Sequence, residues 1–222
     1  MREQLIKDSW KLNAAPWNKL IEENALESRR LVTNQAIIDA VMQTTPKQVL
    51  DIGCGEGWLC RALHDRGVIC TGIDFVPDLI IEAVKKKGAM YLLASYEEIA
   101  SGGILLPFSY DTIVINFALI GEESAKNLVH YLPKLLRDGG SLVIQTLHSY
   151  SRQQAGDDIS GWKQGSWDGL GDSFVKPYEW YYRTLADWQH LFSSAGFKNL
   201  EIIEPKHPVS GVPMSYIFSM KK

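Results

Sequence analysis

The stretch DIGCGEGWL, which begins at Asp51, places glycines at positions 53, 55 and 57, with acidic side chains at Asp51 and Glu56. Glycine has no Cβ, so it reaches positive φ at little cost and lets a ligand come close to the backbone. A further acid, Asp74, ends an apolar run about 20 residues later, where an acid can accept hydrogen bonds from both ribose hydroxyls. This order of residues predicts a binding site for a ribose-bearing cofactor.

The acids beside the glycines indicate which cofactor fits. Dinucleotide cofactors place a pyrophosphate at a helix N-terminus, where negative charge is favoured. Asp51 and Glu56 would oppose that phosphate, and the GxGxG spacing differs from the GxGxxG of dinucleotide sites. Their charges suit a ligand with an ammonium group, a sulfonium and no phosphate. S-adenosylmethionine (SAM) has this chemistry.

The elements that must position these residues follow Thr45 and Pro46 as an alternation of apolar strands and amphipathic helices. Continuous apolar strands with intervening helices predict a mostly parallel sheet that is covered on both faces. Ligands of such sheets bind at the carboxyl ends of the strands, where the glycines and Asp74 stand. The predicted strands are QVLDIG, VICTGID, AMYLLAS, YDTIVINFALI and SLVIQTLH; the predicted helices are EGWLCRALHDRG, PDLIIEAVKKKG and SAKNLVHYLPKLLRDGG, the last kinked at Pro133.

Two segments interrupt this alternation. Residues 1–45 predict one or two helices, and residues 148–183 form a long connection whose aromatic content favours a functional lid over disorder. After the lid, TLADWQHLFSSAG predicts a helix, and FKNLEIIEP and VPMSYIFSMKK predict two strands. We therefore expect one domain over residues 1–222, divided into an N-terminal helical cap (1–45), a SAM-binding core (46–147), a substrate lid (148–183) and a closing helix with an antiparallel strand pair (184–222).

DIGCGEG followed by GID resembles the first two motifs of class I SAM-dependent methyltransferases, (E/D)xGxGxG and a strand-ending acid. YDTIVINFALI resembles their fourth-strand motif and LLRDGGSLVIQTLH their helix–GG–fifth-strand motif, so the resemblance covers residues 46–147. The DIGCGEGWL form, together with an N-terminal SWxxNAxxW-like stretch, is most similar to the small-molecule branch that includes quinone and biotin-pathway methyltransferases. The resemblance implies an α/β, Rossmann-like, seven-stranded mixed sheet, mostly parallel with an antiparallel last strand, and helices on both faces.

The resemblance also implies a role for each residue of the site. Asp51 and the glycine backbone would face the methionine part of SAM, Asp74 would bind the ribose, and Phe75 would pack on the adenine. Ser95 and Tyr96 stand where the family often has an aspartate for the adenine amino group. The expected cofactor-binding set is Asp51, Gly53, Cys54, Gly55, Gly57, Asp74, Phe75, Ser95, Tyr96, Asn116 and Phe117, the last two beneath the reactive sulfur; Gly57 as a helix-packing glycine and Cys54 as a small filler are the structural alternatives.

His148, at the end of the fifth strand, is the candidate catalytic residue. We expect it to act as a base or as a hydrogen-bond donor to the substrate, with a brace for the neighbouring loop as the alternative. The aromatic residues of the cap and the lid predict a roof over an apolar or aromatic small-molecule acceptor. Arg29 and Arg30 either meet a carboxylate of the cofactor or an anionic substrate, or lie on a solvated helix face.

Composition narrows the class of partner. A net charge of −3 gives no electrostatic signature of nucleic-acid binding, and NFALI lacks the prolines of amino-methylating DNA enzymes. Three scattered cysteines favour neither a disulfide framework nor a structural metal site, so we expect no metal. No apolar run is long enough to cross a bilayer and no secretory leader is evident, so we expect no membrane partner and a cytoplasmic location.

The sequence therefore predicts a SAM-dependent methyltransferase that acts on a small molecule, with the methylated atom and the oligomeric state left open. One alternative is a SAM-binding protein that has lost catalysis and serves as a regulator or scaffold. Another is an NAD(P)-dependent oxidoreductase, which the GxGxG spacing, Asp51 and the lack of a Tyr-x-x-x-Lys pair disfavour.

Overall fold

Strands dominate the centre of the computed structural model, which describes residues 2–107 and 109–222. Within those ranges seven strands form one sheet and two short strands form a second sheet. In chain order they are β1 (Gln48–Ile52), β2 (Ile69–Asp74), β3 (Met90–Leu93), β4 (Tyr110–Asn116), β5 (Leu136–Leu147), β6 (Gly161–Lys163), β7 (Trp180–Tyr182), β8 (Lys198–Ile203) and β9 (Ser215–Lys221).

The large sheet has the order β3-β2-β1-β4-β5-β9-β8, and β6 pairs with β7. Neighbours from β3 to β5 are parallel, whereas β9 is antiparallel to both β5 and β8. This confirms the predicted seven-stranded mixed sheet with an antiparallel last strand. The chain moves outward from β1 to β3 and then returns to the other side of β1 as β4. The carboxyl end of β1 is therefore the point where strand order reverses, which is where such sheets bind ligands.

Helices cover both faces of the sheet, as predicted. In β1, Leu50 and Ile52 belong to a core with Leu128 and Trp188, while Val49 belongs to a second core on the other face. The helices are α1 (Arg2–Leu12), α2 (Ala14–Glu22), α3 (Asn34–Gln43), α4 (Trp58–His64), α5 (Pro77–Lys86), α6 (Tyr96–Ala100), α7 (Glu123–Tyr131), α8 (Tyr150–Gln154) and α9 (Leu185–Ser194), with a π-helical turn at Arg29–Thr33.

Three sequence-based expectations about the elements are wrong. Residues 2–45 hold three α-helices and a π-helical turn rather than one or two helices. The predicted helix SAKNLVHYLPKLLRDGG ends at Tyr131, passes through one 3₁₀ turn at Leu132–Lys134, and continues as β5 from Leu136. Pro133 has no N–H to donate, so it ends the helix rather than kinking it. The predicted strand YDTIVINFALI ends at Asn116, because Phe117 has a φ of 53° and turns the chain away from the sheet.

Polar contacts fasten α1 to the long connection of residues 148–183, which we call the lid. The buried Asn13 side chain donates to the Val175 carbonyl at 2.7 Å and accepts from the Val175 N–H at 2.8 Å. Ser9 accepts from the Trp167 indole N–H at 2.9 Å and donates to the Lys176 carbonyl at 2.6 Å. Around these bonds Ile6, Trp167 and Tyr178 form a small core of their own.

In residues 2–107 and 109–222, no helix combines the length and the apolar character that crossing a membrane requires.

Replacement of Asn13 by Ala should loosen the lid while leaving the sheet intact. Both backbone bonds to Val175 lose their partner, and unpaired backbone groups of partly buried chain are costly. We expect the amides of residues 165–178 to exchange with solvent about tenfold faster or more, as measured by hydrogen-exchange mass spectrometry. Asn127→Ala, on the exposed side of α7, is the matched control. Equal exchange of the lid in both variants would show that Asn13 does not hold it.

Candidate active site

A cavity of about 490 Å³ opens where β1, β2, β4 and β5 reach their carboxyl ends, beneath the cap and the lid. The structure brings every predicted cofactor-binding residue except Gly57 to its wall. Those residues are Asp51, Gly53, Cys54, Gly55, Asp74, Phe75, Ser95, Tyr96, Asn116 and Phe117. His148 is not among the lining residues.

The glycine loop, residues 53–57, follows β1 in a conformation that only glycine adopts easily. Gly53 has a φ of 78°, and a Cβ on it would lie 2.4 Å from the Cβ of Ala118. Gly55 has a φ of 57° and a nearly free side toward the cavity, where the nearest atom to an added Cβ is the Trp17 indole nitrogen at 4.0 Å. The close approach at Gly53 is to Ala118, whereas the open space at Gly55 leaves room for a ligand along the loop.

Gly57 has the helix-packing role that the sequence left open as an alternative to cofactor binding. Its φ is 82°, and a Cβ there would lie 2.4 Å from the Tyr91 hydroxyl oxygen. It precedes the first residue of α4 and does not line the cavity. The structure therefore uses Gly57 to let the start of α4 pack against Tyr91 on β3.

Asp74 holds the loop as well as facing the cavity. The Gly55 N–H donates to its Oδ2 at 2.9 Å, and the Val76 N–H donates to its Oδ1 at 2.9 Å. Burial raises the pKa of the Asp74 carboxyl to about 6, against these two stabilising bonds. Each oxygen keeps a further lone pair, so hydroxyl donors from a ribose can still bind. This loop-positioning role was not predicted from the sequence.

Asp51 is 1 % exposed and only half satisfied. The Cys60 thiol donates to Oδ2 at 3.4 Å, whereas Oδ1 is buried without a hydrogen-bond partner. Burial raises the pKa of the Asp51 carboxyl to about 7. An unpaired buried carboxylate is costly, and a cationic ligand in the cavity would relieve that cost.

Glu56 does not contribute the free negative charge that the sequence-based argument gave it. Its Oε2 pairs with Arg61 at 2.6 Å and with Lys86 at 2.8 Å, and its side chain is 1 % exposed. Oε1 is buried without a hydrogen-bond partner, as Oδ1 of Asp51 is, but two cations compensate the charge of Glu56 and fix the loop to α4 and α5. The charge that disfavours a phosphate near the loop is that of Asp51.

Arg29 supplies the opposite charge, and its position excludes the solvated-face interpretation for this residue. The π-helical turn carries its guanidinium over the ring of Trp58, 4.9 Å from the centroid, and its Nε donates to Asn34 Oδ1 at 3.1 Å. Nη2 is buried and unpartnered, and burial lowers the pKa of Arg29 to about 10. Arg30, by contrast, is exposed. An unpaired carboxylate oxygen and an unpaired guanidinium nitrogen therefore belong to one cavity, a combination suited to the ammonium and carboxylate of an amino acid.

The residues expected at the adenine end and beneath the sulfur all line the cavity, and two of them also have structural bonds. Ser95 caps α6 by accepting from the Glu98 N–H, and the Tyr96 hydroxyl donates to the Ala118 carbonyl at 3.0 Å. Burial raises the pKa of Tyr96, so it is a neutral donor. Asn116 lies at the end of β4 with its Oδ1 buried and unpartnered. This oxygen can accept a hydrogen bond from a ligand N–H or O–H.

His148 has the geometry of a brace. Its Nε2 lies 3.0 Å from Glu204 Oε1, its Nδ1 accepts from the Tyr150 N–H at 2.9 Å, and its ring centroid lies 3.9 Å from that of Tyr216. Both ring nitrogens are engaged, and the residue ties the start of the lid to β9. The structure does not bring His148 to the cavity.

Aromatic side chains of the cap and lid line the rest of the cavity, but Tyr150, Trp162 and Phe174 of the predicted roof do not reach it. Trp188 is buried and stacks on Phe192, and it also reaches the cavity wall. Among the described residues no group of three His, Cys, Asp or Glu side chains could hold a metal ion. The lining aromatic residues of cap and lid are Trp10, Trp17, Trp167, Tyr178, Trp180, Tyr181 and Tyr182.

Comparison with known proteins shows which family this chain belongs to. A family model described as a methyltransferase domain matches residues 26–202. An ubiquinone biosynthesis O-methyltransferase of Saccharophagus degradans is 32 % identical over 117 residues, which are 50 % of this chain and 48 % of that protein. A malonyl-[acyl-carrier protein] O-methyltransferase of Serratia marcescens is 27 % identical over 119 residues, 53 % of this chain and 44 % of the relative. This chain thus spans about half the length of the relatives that it matches.

Solved structures share the fold at low sequence identity. A SAM-dependent methyltransferase from Clostridium acetobutylicum superposes with a TM-score of 0.68 at 13 % identity, covering 92 % of this chain and 98 % of the other. One from Mesorhizobium loti gives a TM-score of 0.62 at 20 % identity, covering 83 % and 96 %. At identities this low, the similarity to these two structures shows a shared fold only.

Two glycine variants separate backbone strain from close packing in the loop. Gly67→Ala meets no atom within 4 Å at a φ of 81°, so it should cost only the left-handed backbone penalty, about 1 kcal/mol. Gly53→Ala carries the same penalty and also meets Ala118, so urea unfolding should show an additional loss of about 1–3 kcal/mol. Equal losses in the two variants would contradict the close approach at Gly53.

Replacement of Asp51 by Asn should stabilise the free protein at high pH. A carboxyl whose pKa is raised from 3.8 to about 7 binds its proton more tightly when folded, so its charge costs stability as the pH rises through that window. Asn carries no charge, so at pH 8 the free energy of unfolding should rise by about 1–4 kcal/mol, and the gain should vanish near pH 4.

Asp111→Asn is the control of opposite sign for this measurement. Backbone N–H groups of Lys47 and Gln48 and the charge of Arg137 hold the pKa of the Asp111 carboxyl below its ordinary value. Removal of this carboxylate should therefore lower stability at pH 8. An Asp51→Asn variant that also loses stability at pH 8 would show that Asp51 is not an unsatisfied charge.

Proposed function

This chain belongs to the methyltransferase-domain family, and from that premise we propose that it transfers a methyl group from SAM to a small-molecule acceptor. The observation that carries the proposal is that Asp51 and Arg29 both line the cavity beside the glycine loop, and that each has a buried atom, Oδ1 and Nη2, without a hydrogen-bond partner. The two opposite charges match the ammonium and the carboxylate of the methionine part of SAM.

The other cofactor contacts follow the strand order. Asp74, at the end of β2, accepts hydrogen bonds from the ribose hydroxyls, and Phe75 packs on the adenine. Asp51, at the end of β1, lies on the side of the methionine part. Asp51 disfavours a pyrophosphate, because its buried carboxylate beside the glycine loop would face that negative charge. SAM has no phosphate, so it suits the Asp51 carboxylate where NAD does not.

Bound SAM supplies a methyl group on a sulfonium, which is transferred by in-line displacement. The chain contributes position and shielding: the glycine loop and Asp74 hold the donor, and the cap and lid enclose the acceptor away from water. Asn116 Oδ1, at the end of β4, can accept a hydrogen bond from an N–H or O–H group of the substrate and so orient it. His148 has no part in this proposal as a base, because both of its ring nitrogens are engaged outside the cavity.

The aromatic walls support an apolar or aromatic acceptor. The names of the relatives support a small organic substrate, free or carried on an acyl-carrier protein. The net charge of −3 supports an acceptor other than nucleic acid.

We propose a reducing, cytoplasmic environment because Cys54, Cys60 and Cys70 are all buried as free thiols.

Transfer of label from methyl-labelled SAM to the components of a metabolite extract tests the proposal. We expect label in one or a few small-molecule fractions with the wild type and none with Asp51→Asn. SAM binding without transfer to any fraction would favour the regulatory or scaffold alternative. NAD binding without SAM binding would favour the oxidoreductase alternative and overturn the proposal.

The affinity for SAM should depend on pH through Asp51. The carboxyl must lose its proton to bind a cation, and its pKa in the free protein is raised to about 7. Calorimetric titration should therefore show binding weaker by about tenfold at pH 6 than at pH 8. The dependence should flatten in Asp51→Asn, which binds weakly at both pH values. A wild-type affinity that rises as the pH falls would contradict a cation-binding carboxylate.

A further inference from the structure

A second buried arginine lines the cavity on the side away from Asp74. Arg183 follows β7 and is 8 % exposed, with its guanidinium 4.8 Å from the ring centroid of Tyr181 and 5.0 Å from that of Trp188. Trp188 packs toward Phe218 on β9, which lies beyond β5 in the sheet. Arg183 is thus associated with the β9 side of the cavity, several strand spacings from the end of β2.

The Arg183 side chain has an unused donor. Its Nη2 donates to the Glu122 carbonyl at 2.8 Å, whereas Nη1 is buried without a hydrogen-bond partner. Burial lowers the pKa of Arg183, but an arginine remains charged at neutral pH. Glu122, Glu3 and Asp187 attract this cation, but none of them satisfies Nη1, and a buried donor without a partner is costly.

The nearby carboxylates have other partners. Glu3 accepts the backbone N–H groups of Glu122 and Ser124, at 2.8 and 3.2 Å. The Glu122 carboxylate accepts the Trp162 indole N–H at 3.0 Å. Asp187 accepts from Thr184 and from Ser160. Among the described residues none of these acids forms an ion pair with Arg183.

We propose that Arg183 anchors a carboxylate carried by the methyl acceptor. This inference rests on the proposed function and names its substrate class: an aromatic or apolar body that bears a carboxylate. The anchor offers one unpartnered nitrogen of a guanidinium that lies over two aromatic rings, and arginine N–H groups match the planar geometry of a carboxylate. Arg29 then receives the carboxylate of the donor and Arg183 that of the acceptor, so the two anions are kept at separate ends of one cavity.

Matched pairs of ligands that differ only in charge test the anchor. Calorimetry would compare phenylacetate, indole-3-acetate and 4-hydroxycinnamate with their primary amides, with the protein saturated by S-adenosylhomocysteine. We expect at least one carboxylate to bind about 10- to 100-fold more tightly than its amide, as for a buried charge-assisted hydrogen bond. Arg183→Met should remove the preference, and Arg183→Lys should keep part of it.

Arg152→Met is the matched control. Arg152 stacks on Trp180 and Tyr182 of the same β7 and pairs with Asp157, but it does not line the cavity. The substitution removes the same charge from a residue that contacts two lining rings but does not itself line the cavity, so the preference for the carboxylate should persist. Retained binding of S-adenosylhomocysteine shows that each variant is folded.

Three results would overturn the anchor: no carboxylate of the series binds, carboxylates and amides bind equally to the wild type, or the preference survives in Arg183→Met. Failure of the proposed function is separate and is seen first, as failure of the wild type to bind S-adenosylhomocysteine. If that ligand binds and the preference is missing, the proposed function stands and the anchor is wrong.

Discussion

The unsatisfied carboxylate of Asp51 is the constraint around which the cavity is organised. It lies at the end of the central strand β1, buried to 1 % exposure, with one oxygen unpartnered. A polar residue here interrupts a strand that otherwise reads Val49, Leu50 and Ile52, each fully buried. Such a residue lowers the stability of the free protein, and a cationic ligand would offset that loss. The loss of stability in the free protein and the selectivity for a cationic ligand thus both come from the unpartnered Asp51 carboxylate.

The surrounding elements keep this carboxylate dry and give it a counterpart. Asp74 bonds the glycine loop to the start of α5, and Glu56 is held by Arg61 and Lys86, so the loop is fixed before any ligand arrives. The cap supplies Arg29 on a π-helical turn, an irregularity that is frequent at functional sites. The lid, fastened to the cap by Asn13 and Ser9, closes the opposite side with aromatic rings. Together they form a cavity with a charged end and an aromatic end.

The sequence predicted the sheet well because the signal was local: apolar strands, glycine spacing and a strand-ending acid each act within a few residues. Its errors came where a single residue overrides a periodic pattern, as at Pro133 and Phe117. The roles of Glu56 and Gly57 depend on partners from other strands and helices, namely Lys86 and Tyr91, which spacing alone does not reveal. Arg29 was the hardest to interpret, since an arginine in a polar-looking segment gives no sign of burial, and Arg183 drew no prediction from the sequence. Only the packing of Trp58 and Trp188 against them shows that these cations are enclosed.

The most direct test of Asp51 as an unsatisfied, cation-binding carboxylate is the titration of its carboxyl carbon by NMR, in the free protein and with S-adenosylhomocysteine bound. We expect a pKa near 7 in the free protein, because the carboxyl is buried, and a pKa well below that when an ammonium group binds. A pKa of ordinary value in the free protein would show that the carboxylate is solvated or paired. A pKa near 7 that does not move on binding would show that the ligand's cation lies elsewhere, and the account of the site would be wrong.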